Sequence, residues 1–107
     1  MSKSFALILD LIGSNDVRIS EHGYDELAED DIAVQAILDG AQRGTVIEDY
    51  PNYPKGPSVL VLQFDHAGRP IHVVWGIPKG FSRPAVLVTA YRPDLLKWNE
   101  NFTERRK

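Results

Sequence analysis

Three stretches rich in apolar and β-branched residues decide the fold: SVLVLQF (Ser58–Phe64), PIHVVWGI (Pro70–Ile77) and AVLVTAYR (Ala85–Arg92). Each has the residue types that are enriched in β-strands. The connections between them, Asp65–Arg69 and Pro78–Pro84, are short and contain glycine or proline, which is typical of turns and loops. Because connections of this length leave no room for a crossover helix, we predict that the three strands are antiparallel neighbours.

The residues before these strands predict helices and one further strand. A fourth strand is expected where a β-branched run precedes Pro51, and apolar residues recur at helical spacing further upstream. The predicted fold is therefore α+β, with N-terminal helices packed on a small antiparallel four-stranded sheet. The predicted elements are a helix over Ser4–Ile12 with Ser4 as N-cap, a helix over Glu21–Glu29 with Ser20 as N-cap, a helix over Asp31–Asp39 stopped by Gly40, and a strand over Thr45–Tyr50.

Length and composition fit one small domain. The chain has 107 residues, of which 43% are hydrophobic and 25% are charged, and a second core would be too small to stand alone. We therefore predict a single domain over residues 1–107, whose charged end, from Lys97 onward, is a short helix or partly disordered. The chain has no cysteine, which excludes disulfides and thiolate metal sites. Since no apolar run is long enough to span a bilayer, we expect a cytoplasmic protein.

Charge is distributed unevenly along the chain. Residues 1–50 hold three Lys or Arg against eleven Asp or Glu, a net charge of −8. Residues 51–107 hold nine Lys or Arg against four Asp or Glu, a net charge of +5. A basic half attracts phosphates and an acidic half attracts a basic partner, although two solvated faces that neutralise each other explain the same pattern.

Two histidines and one arginine are the candidates for chemistry. His72 lies inside a predicted strand next to a turn that carries Arg69, so an imidazole for proton transfer and a guanidinium for phosphate would lie near each other. His22 follows the N-cap Ser20, at a helix end that attracts anions. The alternative for each is structural: a satisfied strand histidine, a solvated turn arginine and a capping-turn histidine. The three histidines show no metal-ligand spacing, and we expect neither a metal nor a cofactor.

Alternation along the last strand makes a prediction about its faces. Side chains on a strand point alternately to the two sides of the sheet. Strict alternation places Leu87, Thr89 and Tyr91 on one face of the strand. On the preceding strand it separates His72 from Trp75. Both faces retain apolar residues, so the pattern leaves open which face is the core.

Five motifs occur in a set order along the chain: Arg18-Ile19-Ser20-Glu21-His22-Gly23, Ile37-Leu38-Asp39-Gly40, Val46-Ile47-Glu48-Asp49-Tyr50-Pro51, Gly68-Arg69-Pro70-Ile71-His72-Val73-Val74 and Val88-Thr89-Ala90-Tyr91-Arg92-Pro93-Asp94. The ordered set is far more specific than any single piece. It resembles a bacterial family known as domain of unknown function 4258. The resemblance covers about residues 17–98, with a charged tail, 99–107, beyond it.

That family is similar to RelE- and BrnT-like domains, in which helices pack on a small antiparallel sheet. The resemblance implies a toxin-type protein that cleaves RNA without a metal and is regulated by a small antitoxin protein. The site residues implied by the resemblance are His22, Arg69, His72, Thr89 and Tyr91. Cleavage of this kind needs a base, an acid and a cation that stabilises the charged transition state.

Three functions are therefore carried forward from the sequence. The first is a toxin-like, metal-independent endoribonuclease, for which an adjacent reading frame should encode an antitoxin. The second is a non-catalytic module that binds a partner protein. The third is a small enzyme acting on other phosphate-containing substrates. A fold alone does not choose among them.

Overall fold

The computed structural model describes residues 2–107 and confirms the α+β class. Each strand labelled here belongs to one sheet. The helices are α1 (Lys3–Gly13), α2 (Glu21–Glu29) and α3 (Val34–Gly40), the last followed by a 3-10 turn over Ala41–Arg43. The strands are β1 (Val17–Ile19), β2 (Thr45–Tyr50), β3 (Ser58–Phe64), β4 (Pro70–Gly76) and β5 (Ala85–Tyr91).

The sheet is mixed and has the strand order β1-β5-β4-β3-β2. Strands β2 to β5 are antiparallel neighbours, as predicted. β1 pairs in parallel with β5, with Val17 opposite Ala85 and Ile19 opposite Leu87. The prediction of a purely antiparallel four-stranded sheet is therefore wrong, because the sheet has a fifth strand and one parallel pair.

The short strand β1 depends on contacts that a local pattern does not contain. It has only three residues, too few for alternation to be recognised. The Ala85 N–H donates to the Asp16 carbonyl (2.9 Å) and the Ser20 N–H donates to the Leu87 carbonyl (3.0 Å). The Arg83 guanidinium also pairs with the Asp16 carboxylate across 67 positions of sequence. β1 is therefore defined by a distant part of the chain.

Serine caps set the start of the first two helices. Ser20 caps α2 as predicted, and its Oγ accepts a hydrogen bond from the Gly23 N–H at 2.9 Å. The cap of α1 is Ser2 rather than Ser4, since the Ser2 Oγ accepts from the Phe5 N–H at 3.1 Å. Either serine can accept such a bond, so residue type alone does not distinguish the two positions.

The third helix begins later than predicted. Asp31 has a φ of 53°, a left-handed conformation that is incompatible with an α-helix starting at this residue. Ile32 is buried in the turn, and α3 starts at Val34. Gly40 ends α3, but the chain continues directly into the 3-10 turn instead of leaving the helix layer.

The helices cover one face of the sheet and leave the other face without helices. Trp75 and Leu87 lie on the helix-covered face, each fully buried. We call the opposite face, which carries His72 and Val74, the free face. Within residues 2–107, no helix has the length and apolar character needed to cross a membrane. The core includes Phe5, Ile8, Leu27, Ile32, Ile37, Val59, Val61, Ile71, Val73, Trp75, Ala85, Leu87 and Ala90.

The chain after β5 folds back instead of forming the predicted helix or disordered tail. Trp98 and Arg105 form an antiparallel bridge, and the Arg106 N–H donates to the Lys97 carbonyl at 2.8 Å. We call this hairpin-like segment the C-terminal cover (residues 94–106). It lies against one end of the free face and leaves the other end open.

Candidate functional site

A β-bulge in β5 brings two predicted site residues onto the free face. The register of β4 and β5 shifts by one residue at Val88, so this residue is an extra one in the ladder. Leu87 therefore points into the core, while Thr89 and Tyr91 lie on the free face with His72. The alternation that placed Leu87, Thr89 and Tyr91 on one face is wrong, because it assumed an unbroken period of two.

A second bulge adds a carboxylate to the same face. In β2 the register shifts between Val46, opposite Val61, and Glu48, opposite Leu60. Without the shift at Ile47, the side chain of Glu48 would point towards the helices. The two bulges together place an imidazole, a phenol and a carboxylate on one end of the free face.

His72 is fully enclosed at this end of the sheet. Its relative exposure is 0%. The Nε2 atom lies 2.8 Å from the Phe102 carbonyl, and the Nδ1 atom lies 3.3 Å from the Tyr91 hydroxyl. A carbonyl only accepts hydrogen bonds, so Nε2 carries a proton and Nδ1 of the neutral ring accepts from Tyr91. Both ring nitrogens therefore have partners within the chain.

The C-terminal cover closes over this histidine with an aromatic and an ionic contact. The Trp98 ring packs edge-on against His72 with a centroid distance of 4.4 Å. Arg105 lies over the Trp98 ring at 4.7 Å, and its guanidinium donates two hydrogen bonds to Glu48, at 2.8 and 3.1 Å. We call His72, Tyr91, Glu48, Trp98 and Arg105 the His72 cluster.

Burial and pairing set the protonation states within the His72 cluster. Desolvation lowers the pKa of His72, and the hydrogen bond with the Phe102 carbonyl opposes this effect. Desolvation raises the pKa of Tyr91. The hydrogen bonds from Arg105 are the main cause of the lowered pKa of Glu48. At neutral pH the imidazole and the phenol are therefore uncharged, and the carboxylate is paired with a guanidinium.

His22 does not join this cluster. It projects from α2 on the helix-covered side, with 66% of its side chain exposed, and its Nε2 lies 3.5 Å from Glu26 Oε1. His72 is on the other side of the sheet, bonded to Tyr91 and Phe102. A mechanism in which both histidines act on one phosphate is therefore incompatible with this geometry.

Arg69 is held within its own turn. Its side chain is 67% exposed, and its Nε lies 3.4 Å from Asp65 Oδ2. The same carboxylate binds Arg92 at 2.9 Å, and the Arg69 backbone N–H is the largest cause of the lowered pKa of Asp65. No hydrogen bond or ion pair joins Arg69 to His72 in the part of the chain that the structure describes.

The open end of the free face forms a groove of about 510 Å³, a size typical of small-ligand sites. Its floor includes Val74, Val86 and Val88, so the bulged residue of β5 forms part of the groove. We call this the free-face groove. It is a continuation of the surface that holds the His72 cluster, but the C-terminal cover does not occupy it.

Cations and tyrosines surround the apolar floor of the groove. Arg18 and Lys55 lie in its lining, which contains no carboxylate. Neither cation forms an ion pair within residues 2–107. The rings of Tyr50 and Tyr53 are 47% and 50% exposed. The groove therefore offers aromatic surface and two cations that form no ion pair within residues 2–107, and the hydroxyl of Tyr50 donates to Glu48 at 2.9 Å.

The rim of the groove is held in place by backbone contacts. Gly56 has a φ of 120°, and a Cβ at this position would lie 1.9 Å from the Ile77 carbonyl oxygen. The Ile77 N–H donates to the Pro57 carbonyl (3.0 Å), and the Lys79 N–H donates to the Lys55 carbonyl (3.1 Å). The loop that carries Tyr53 and Lys55 is thus fixed against the chain after β4.

These two ends can do different chemistry. The closed end has groups suited to proton transfer, but both nitrogens of His72 are occupied and the C-terminal cover excludes a substrate. The open end can hold an anion and stack against an aromatic ring. In residues 2–107 there is no group of three or more histidine or acidic side chains placed to hold a metal ion.

Sequence reasoning missed several residues of both ends. Glu48 was quoted only as part of a strand motif, because nothing local indicates the bulge beside it. Arg105 and Trp98 lie in a segment predicted to be helical or disordered. Arg18 appeared only in a family motif. The net charge of +5 over residues 51–107 did indicate a surface for phosphates, but Arg18 and Tyr50 of the groove lie in the acidic half of the chain.

The comparisons with known proteins identify the family. Residues 19–92, well over half of the chain, match the family model described as "Domain of unknown function (DUF4258)". No curated protein and no solved structure matches the chain. The matched region contains α2 to β5 and ends before the C-terminal cover, and it agrees with the resemblance over residues 17–98 to within a few residues. The chain belongs to the DUF4258 family.

Proposed function

We propose that this domain binds single-stranded RNA in the free-face groove. The observation that carries the proposal is the lining of the groove: two cations without carboxylate partners, Arg18 and Lys55, beside the exposed rings of Tyr50 and Tyr53. Single strands are bound by cations that follow the phosphates and by aromatic rings on which bases stack. The proposal places the protein in the cytoplasm, where RNA is available.

The choice of RNA over an acidic peptide follows from the tyrosines and the floor. A carboxylate-rich peptide would use the two cations but would leave the rings of Tyr50 and Tyr53 without a matching partner. A base has a flat face for stacking and a neighbouring phosphate for a cation. The apolar floor at Val74 and Val86 suits the remaining surface of a base or ribose.

Fluorescence anisotropy with labelled oligouridylate and oligoadenylate, in the presence of a metal chelator, tests the proposal. Tyr53→Ala is expected to weaken binding by about 1–3 kcal/mol, the usual contribution of one stacked base. Lys55→Ala is expected to weaken binding of both oligonucleotides and to reduce the salt slope by about 1. Arg43→Ala is the matched control, because it removes an exposed cation outside the groove lining.

Two results would count against RNA binding. One is the absence of binding at low salt by folded wild-type protein. The other is an equal loss in Arg43→Ala and Lys55→Ala, which would indicate attraction by overall charge instead of binding in the groove. Tighter binding of an acidic peptide than of either oligonucleotide would replace RNA by a protein ligand.

Metal-independent RNA cleavage is the second candidate function, and the His72 cluster is the observation that favours it. Glu48, His72 and Tyr91 supply a carboxylate, a neutral imidazole and a phenol on one surface. In this candidate the C-terminal cover moves away and the 2′-hydroxyl loses its proton to a base and attacks the adjacent phosphate. The bond from phosphorus to the 5′-oxygen of the next nucleotide breaks, and an acid protonates that leaving oxygen. The toxin-type role with an antitoxin partner, and the likeness to RelE and BrnT domains, belong to this candidate.

Induced expression in a bacterial host separates cleavage from binding. Growth and bulk RNA integrity would be compared for wild type, His72→Gln, Glu48→Gln and Arg69→Ala at matched protein levels. Growth arrest with RNA cleavage that is lost in His72→Gln would support cleavage at the cluster. Loss of RNA cleavage in Arg69→Ala, but not in the other variants, would place the catalytic site at the turn between β3 and β4. Normal growth with intact RNA in a host that contains folded wild-type protein would count against RNA cleavage.

A further inference from the structure

A second cavity lies on the opposite side of the sheet from the free-face groove. It has a volume of about 660 Å³ and lies between the end of α1, strand β1 and helices α2 and α3. We call it the helix-side cleft. Its apolar lining includes Ile12, Val17, Ile19, Val34 and Leu38. These side chains are only partly buried, and several of them border the core without being enclosed by it.

Tyr24 extends the apolar surface at the mouth of the cleft. Its ring lines the cavity, and 58% of the residue is exposed. An exposed ring beside partly buried aliphatic side chains is the arrangement found in the centre of protein interfaces, where aromatic residues are enriched. The cleft is therefore a surface that a second apolar chain could cover.

Helix α2 and the turn after it carry six acids, and α3 adds Asp39, the acid in the lining of the cleft. Residues 19–42 contain seven Asp or Glu and neither Lys nor Arg. Within residues 2–107 the side-chain ion pairs of these acids are with histidines only, His22 with Glu26 and His66 with Asp39. The exposed acids of this segment are Glu21, Asp25, Glu29, Asp31 and Asp39.

We propose that the helix-side cleft docks a basic, amphipathic segment of a partner protein. Its apolar side chains would enter between Tyr24 and Leu38, and its lysines or arginines would pair with the acids of α2 and α3. Charge complementarity of this kind raises association rates and selects among partners. The proposal does not depend on RNA binding, since the cleft and the groove lie on opposite sides of the sheet and share only Arg18 at the edge.

A second copy of the chain is a weaker fit to the same cleft. Two arginines of its C-terminal cover are already engaged, Arg105 with Glu48 and Arg106 with the Leu95 carbonyl. A segment that brings its own lysines or arginines meets no such competition. Self-association is therefore an outcome that the test must detect.

The probe for the test is a short helical peptide of leucine and lysine with one apolar face. The comparison peptide has the same charge, with serine in place of leucine. We expect the leucine peptide to bind wild type at least tenfold more tightly than the serine peptide. Leu38→Arg should weaken this binding at least tenfold, and Asp25→Asn should weaken it severalfold. Asp49→Asn, which removes an exposed acid of β2 outside the cleft, should leave it unchanged.

Backbone amide NMR shifts locate the peptide and guard against misfolded variants. The expected shifts cluster on α2, α3 and β1, and Leu38→Arg should keep wild-type spectra elsewhere. Equal binding of both peptides, or shifts confined to the free face, would overturn the proposal. Sedimentation that shows self-association through the cleft would replace the partner by a second copy. Unchanged RNA affinity in Leu38→Arg would show that peptide binding in the cleft can be lost without loss of RNA binding in the groove.

Discussion

The polar groups at the two ends of the free face differ in whether they have partners within the chain. At the closed end, both ring nitrogens of His72 are hydrogen-bonded and Glu48 is paired with Arg105. At the open end, Arg18 and Lys55 have no ionic partner within residues 2–107. Burial of a polar group costs free energy unless the fold provides a partner. The difference indicates that the closed end serves the stability of the chain and that the open end is available to a ligand.

The largest expected effect comes from opening the closed end. Trp98 is only 3% exposed and packs against His72. Trp98→Ala removes a buried aromatic side chain, which typically costs about 3–5 kcal/mol of the free energy of unfolding. Chemical denaturation would measure this loss, and His72 would become accessible to solvent in NMR exchange experiments. A loss below about 1 kcal/mol, within the range of surface substitutions, would mean that the cover is not part of the cooperative fold.

A somewhat smaller loss is expected from breaking the open end. Gly56→Ala forces a Cβ against the Ile77 carbonyl at a φ of 120°. Backbone strain of this kind costs about 1–3 kcal/mol, and the loop with Tyr53 and Lys55 must move. Thermal unfolding would show the destabilisation. RNA affinity should fall while the NMR signals of His72 stay unchanged, and a coupled change at His72 would contradict the independence of the two ends.

Removal of the ionic contact between the C-terminal cover and β2 should lower the free energy of unfolding only modestly. Arg105 is paired with Glu48 and lies over the Trp98 ring, but 63% of its side chain is exposed. Exposed ion pairs contribute about 0–1 kcal/mol, so Arg105→Ala should reduce stability by roughly this amount. Amide hydrogen exchange in residues 98–105 should rise, whereas exchange in the core of β3 should not. Arg43→Ala is the matched control for loss of an exposed arginine, because Arg43 lies outside the C-terminal cover.

The smallest expected effect is the pH dependence of the free energy of unfolding that His72 causes at the closed end. Burial lowers the pKa of His72 in the folded state, so the unfolded chain binds the proton more readily. The free energy of unfolding should therefore be unaffected by this group above about pH 6.5 and should decrease as the pH falls below it. His72→Gln should lack this decrease when unfolding is measured across the same range. An unchanged pH profile in the variant would assign the decrease to other groups.

The sequence predicted those parts of the fold that depend on local patterns. Residue type and turn chemistry located the bounds of α2, β2 and β3 correctly, and glycine and proline marked the loops. The two β-bulges could not be predicted, because the extra residues Ile47 and Val88 are ordinary strand formers whose effect appears only when the partner strand is present. For the same reason alternation wrongly grouped Thr89 and Tyr91 with Leu87, which lies on the other face.

The candidate site, too, could be predicted from the sequence only in part. His72 and Tyr91 were named from the sequence, and the structure brings them into contact. Their partners Glu48, Trp98 and Arg105 come from the middle and from the C-terminal part of the chain, and no spacing rule connects them. The separation of His22 from His72 could also not be predicted, because the sequence does not show that the two residues lie on opposite sides of the sheet.

The parallel pairing of β1 with β5 has a consequence for how the protein is made. The strand over Val17–Ile19 has no partner until Ala85–Leu87 has left the ribosome. Helix α2 also contacts β5, because the hydroxyl of its cap Ser20 donates a hydrogen bond to the Val88 carbonyl at 2.8 Å. Non-local contacts of this kind slow folding and leave apolar segments exposed in the nascent chain. Its N-terminal segments are therefore open to aggregation or degradation until β5 has been synthesised.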